Sequence, residues 1–146
     1  MHINNVHVNE NGVFVSGSHF DRMLRIQDSE VEVVARLPTG THNALPWTGD
    51  RILINDTSRD QIAILQADGT VTEQFDIPRY EERHLKHNDI PEDHARQSFG
   101  RGLCTTDDGR IIGGSSPATI SVYRRDATSP QKVVNVTMDV RNAIDR

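Results

Sequence analysis

With 146 residues, the chain has room for one domain with a sizeable core. Hydrophobic residues make up 35% and aromatic residues only 5%, a lean supply that suits a chain burying further apolar surface against a partner. The net charge of −5 is spread over interspersed acids and bases, which argues against nucleic-acid or anionic-membrane surfaces, both of which need clustered Lys and Arg.

The N-terminal residues Met1-His2-Ile3-Asn4-Asn5 have neither a basic region nor an apolar run, so no secretory signal is read. No window approaches the length of a membrane span. The expectation is a soluble, cytoplasmic protein.

A first β unit then unfolds over about residues 2–37. Asn4-Asn5-Val6 opens a short inner strand, Asn11-Gly12 turns, and VFVSGS (13–18) forms a second strand. A polar turn at HFDR (19–22), the strand MLRI (23–26), the turn Asp28-Ser29 and the Val-rich run VEVVARL (31–37) complete it. Pro38 ends it, as a residue that cannot donate to a ladder.

The same order recurs 39 residues later, over about 41–77: Asn43-Ala44-Leu45, Asp50-Arg51, ILINDT (52–57), SRDQ (58–61), IAIL (62–65), Asp68-Gly69 and TVTEQFDI (70–77), ended by Pro78. Residues 79–98 interrupt the period. They are polar, and Tyr80–Lys86 allows one helical turn with no apolar face. A further step of 58 residues restores the pattern over about 99–138: Arg101-Gly102-Leu103, Asp108-Gly109, RIIGGS (110–115), SPAT (116–119), ISVY (120–123), Thr128-Ser129-Pro130 and KVVNVTM (132–138). This alignment places Met23, Ile62 and Ile120 at one position. The lone Cys104 in the third unit excludes an internal disulfide and reads as a core thiol. A tail, 140–146, follows.

Three units of four antiparallel strands describe an all-β fold of propeller type, in one domain spanning 1–146. A blade has two apolar faces, so three blades leave two faces bare. Two copies of the chain give a six-bladed ring, within the usual four to eight, and three copies do not. A homodimer is therefore expected, with the tail adding to the partner's sheet at a seam; the rival reading is a fragment of a longer product.

With the units placed, THNALPWTGDRILINDTSRDQIAILQADGTV (41–71) and FGRGLCTTDDGRIIGGSSPATISVY (99–123) resemble the six-bladed β-propeller superfamily of NHL, TolB-like and gluconolactonase/SMP-30-like proteins. The resemblance covers nearly all of the chain except 79–98. It implies a fold more than an activity, because such folds host unrelated functions. It also implies a ligand face, where the connections into the inner strands and between the second and third strands emerge.

Three sets of residues are expected at that face. Asn4, Asn43 and Arg101 are read at one repeat position, with His42 beside them. The turns supply His19 and Asp60. The insertion supplies His84, His87 and His94 as weak candidates for a divalent metal such as zinc, with Asp89, Glu92 and Asp93 as oxygen donors. Gluconolactonase-like members hold a channel metal with acidic and amide side chains, whereas Asn, Asn and Arg include no carboxylate. No catalytic triad order or phosphate loop is readable. The sequence thus favours a non-enzymatic module binding a small polar or anionic ligand, or a partner's loop. A metal-assisted lactonase- or esterase-like hydrolase and a purely structural dimerising module are the alternatives.

Overall fold

A computed structural model describes residues 3–90 and 96–145. The described residues form twelve strands in chain order: β1 (Asn5–Asn9), β2 (Gly12–Gly17), β3 (Phe20–Gln27), β4 (Glu30–Arg36), β5 (Thr41–Trp47), β6 (Arg51–Asp56), β7 (Gln61–Leu65), β8 (Val71–Asp76), β9 (Gly100–Thr105), β10 (Ile111–Ser115), β11 (Thr119–Tyr123) and β12 (Lys132–Asn135). They make three four-stranded sheets, each in simple sequential order, β1-β2-β3-β4, β5-β6-β7-β8 and β9-β10-β11-β12. The registered pairs are antiparallel. The fold is all-β, of propeller-blade type. One short 3₁₀ turn, Glu82–His84, lies in the insertion with no buried residue. Among the described residues no helix is long and apolar enough to cross a membrane.

Local chemistry explains the hairpins. Asp28 and Ser29 both take positive φ, 49° and 72°, the conformation that matches a two-residue turn to the twist of its flanking strands. Gly12 has φ 128°, and a Cβ there would lie 2.8 Å from the Ile26 carbonyl oxygen, so only glycine serves.

The chain divides into two compact units, residues 1–74 and 75–146. In the first, Phe14, Met23, Ala35 and Leu37 interlock with Ala44, Ile52, Ile54, Ala63 and Leu65 to form one core between the first two sheets. The opposite face of the first sheet is different. Register and alternation put Val6, Val8, Val13, Val15, Leu24, Ile26, Val31 and Val33 on it. Val6, Val8, Val31 and Val33 are 59%, 67%, 61% and 51% exposed.

In the second unit, Tyr123 is fully buried and meets the Phe75 ring edge-on at 5.7 Å. Its hydroxyl donates to the Asp76 carbonyl at 2.9 Å. Ile111, Gly113, Ser121 and Tyr123 share that face of the third sheet, and Gly102, Cys104, Ile112, Gly114, Ile120, Val122, Lys132 and Val134 share the other. Two expectations change here. Cys104 is exposed, because it sits on the outward face opposite Tyr123. Ile120 is half-buried while its neighbours Thr119 and Ser121 are buried, because the β10–β11 pairing is offset by one residue from the β6–β7 pairing.

The tail returns to its own sheet. Lys86 and Asp139 form a parallel bridge, with Lys86 N–H donating to the Met138 carbonyl and Val140 N–H to the Lys86 carbonyl. Ser116 Oγ donates to the carbonyls of Val140 (2.6 Å) and Asn142 (3.1 Å). Ile144 lies against Gly114 and Gly102, where any Cβ would collide with its carbonyl. The expectation that the tail joins a partner's sheet therefore gives way to a strap over the chain's own third sheet, admitted by two facing glycines.

Candidate functional site

The first unit gathers a polar network at the start of its inner strands. β5 carries a bulge: Thr41 pairs with Asp56 and Ala44 with Ile54, so His42 and Asn43 together oppose Asn55. Bulges of this kind re-aim side chains. Asn43 Oδ1 accepts from Asn55 Nδ2 at 2.9 Å, and Asn43 Nδ2 donates to Asn5 Oδ1 at 3.5 Å. Asn5 Nδ2 donates to the Ala44 carbonyl at 2.8 Å, and His42 Nδ1 lies 3.2 Å from Asn43 Oδ1. Asn55 is completely buried and Asn43 nearly so. Ser16, which pairs with Asn5, is also completely buried, and its hydroxyl has no protein hydrogen-bond partner. The same holds for both polar side-chain atoms of Asn4.

Asp56 is buried, and its Oδ2 accepts from the Arg59 guanidinium at 2.7 Å. Asp60 is half-buried at φ 55°, and His19 is exposed in the tight β2–β3 turn. That turn is shorter than expected: β3 begins at Phe20, so Asp21 is a strand residue.

Arg101 belongs to the second unit. Gly102 pairs with Gly114 and Gly100 with Ser115, leaving Arg101 as the extra residue of a bulge in β9. Its guanidinium lies 4.9 Å from the centroid of the Phe99 ring, and that of Arg96 lies 5.1 Å from the same ring. Among the described residues Arg101 forms no ion pair. Asn43 and Arg101 both lie in bulges, each directly before a regularly paired residue, Ala44 and Gly102. It is Asn5, not Asn4, that hydrogen-bonds into the Asn43 network. Sequence reading missed Asn5, Asn55 and Ser16. They read as ordinary strand positions, and only their burial beside Asn43 marks them.

The insertion's histidines part company. His84 is exposed at the end of the 3₁₀ turn, while His87, also exposed, lies 3.8 Å from Asp139. His94, with Glu92 and Asp93, lies outside the described residues, as does His2. Among the described residues no three His, Cys, Asp or Glu side chains are grouped to hold a metal. Asp139 is instead clamped by Arg141, at 2.6 Å, which holds its carboxyl down at about 2. A pocket of about 260 Å³ lies nearby, bordered by Arg79, Glu82, Asn88, Arg96 and Gln97, with Val140 at its apolar edge.

Among solved structures the chain is similar to a streptogramin B lyase, with TM-score 0.57 and 13% identity over 99% of this chain and 40% of that one. It is also similar to virginiamycin B lyase from Staphylococcus aureus, with TM-score 0.55 and 13% identity over 90% of this chain and 40% of that one. The latter is a seven-bladed propeller. This likeness shows the propeller-type fold, and the chain spans only about 40% of the length of these proteins. No protein-family model and no curated protein matches the chain.

Proposed function

We propose that the chain is a non-enzymatic binding module that takes a small polar or anionic ligand, with Arg101 as its principal anion contact. The observation that carries this is the state of Arg101: a half-buried guanidinium, turned out of its ladder by a bulge and stacked on Phe99, with no carboxylate paired to it among the described residues. Stacking orients a guanidinium while leaving its in-plane N–H donors for an oxyanion. In the first unit, taken by itself, the unpartnered buried hydroxyl of Ser16 beside the Asn5–Asn43–Asn55 network suits a bound water or small polar group. No observation favours the metal-assisted hydrolase: the candidate histidines do not converge among the described residues.

Ring completion is part of this reading. A second copy supplies the remaining blades of a six-bladed homodimer, doubling Asn4, Asn43 and Arg101, in a cytoplasmic setting. The similar lyase closes with seven blades, whereas two copies of this three-sheet chain would close with six. Titration of the purified chain with inorganic phosphate and with citrate, by calorimetry, tests the ligand reading. Arg101→Ala is expected to weaken anion binding by about tenfold or more, the worth of one charge-assisted hydrogen bond. Unchanged binding in that variant, or no binding of either anion to the wild type, would contradict it.

A further inference from the structure

The geometry points to the aliphatic face of the first sheet as the docking surface for the third sheet of a second copy, with Cys104 enclosed in the seam. This rests on the ring-completion reading and specifies which faces meet. It is independent of the anion site.

One face of the first sheet carries two aliphatic side chains from each strand: Val6 and Val8, Val13 and Val15, Leu24 and Ile26, Val31 and Val33, with the Arg22–Arg36 pair at one end of it. No acidic side chain interrupts the aliphatic positions. A sheet face of this kind left in water is both an interaction surface and an aggregation hazard. The third sheet offers the matching surface. Its face opposite Tyr123 carries Cys104, Ile112, Ile120, Val122 and Val134, with the exposed Lys132 at its edge and no acidic residue. Part of that face is already filled by the strap, whose Ile144 sits over the Gly102–Gly114 pair. The strap thus levels the glycine hollow, and the exposed Cys104 and Val134 mark the part of the face it leaves open.

Why a second copy? Both unpartnered faces belong to the same chain, so two copies satisfy four faces in two equivalent seams with nothing left over. Area supports this. Four strands about 4.8 Å apart and some five residues long present a face of roughly 320 Å², so two seams of two faces hide on the order of 1,300 Å². That lies within the range of stable protein interfaces.

Cys104 is the chain's only cysteine, and it reports on the seam directly. The test compares the wild type, the double variant V8E/V33E and the reciprocal variant Val134→Glu, all altered only at exposed positions. Each is measured for mass by sedimentation equilibrium, for strand content by circular dichroism, and for the rate at which Cys104 reacts with a thiol reagent. The wild type should be dimeric with Cys104 protected. Both variants should shift toward monomer, keep their strand signal, and react roughly tenfold faster, since access controls the thiol. Arg101→Ala should leave mass and thiol rate unchanged, which separates this proposal from the ligand reading. A wild-type dimer whose Cys104 reacts as fast as in the variants would overturn it, because the copies then join through other faces. So would a wild-type monomer, or variants that remain dimeric with a slow thiol.

Discussion

Asn43 and Asn55 form an enclosed side-chain hydrogen bond in the first unit, an amide pair at 2.9 Å with Asn55 fully buried. Leaving a buried amide without its acceptor costs about 1–3 kcal/mol, so Asn43→Ala should lower unfolding free energy by that order in urea titration. A change below about 0.5 kcal/mol would show that the network carries no such weight. Asn43 was legible in the sequence as a polar residue at a strand entry. Its partners were not, because Asn5, Asn55 and Ser16 sit in runs that read as plain strands. Tyr123 is the corresponding anchor of the second unit. Burial pushes its hydroxyl up to about 12 from 10.0. A group whose folded value is raised contributes stability that is complete below pH 10 and lost as pH climbs toward 12. Alkaline absorbance titration of the two tyrosines should therefore show one of them ionising only near pH 12, with loss of structure. Two ordinary titrations near pH 10 would contradict the buried placement.

At the scale of elements, the hairpins and strand order were readable because turn chemistry and β-rich runs recur in step: Asn11-Gly12, Asp50-Arg51 and Asp108-Gly109 mark the first turn of each unit. The bulges were not readable. One bulge in β5 and one in β9 leave composition unchanged but shift the local register, and each falls where Asn43 and Arg101 enter their strands. The burial of Cys104 was misjudged for a related reason. A single β strand does not reveal which of its alternating faces is covered, and Cys104 lies opposite Tyr123. The strap was equally hidden, since Val140–Asp145 has no strand pattern, and its hold on the sheet comes from Ser116, Lys86 and two glycines. Gly114→Ala places a methyl 2.2 Å from the Ile144 carbonyl oxygen. The strap must then move, at a cost of about 1–3 kcal/mol. Tryptic cleavage after Arg141 should become faster in that variant, and an unchanged cleavage rate would show that the strap does not rest on the glycine pair.

At the scale of the whole molecule, the fold is three propeller-type sheets, similar to about 40% of a lyase that closes its ring with seven blades. Similarity at 13% identity carries the architecture and no chemistry. The number of blades was legible because repeats are counted from turns and strands. How a ring closes was not, because it depends on faces rather than on patterns within a strand. The exposed valines of β1 and β4 are what the repeat count could not supply. They give the proposed partner a named surface, and under that proposal Cys104 reports on the seam. Sedimentation equilibrium of the wild-type chain over a wide concentration range tests this most directly. The account predicts twice the 16.4 kDa chain mass, and a single 16.4 kDa species at every concentration would contradict it.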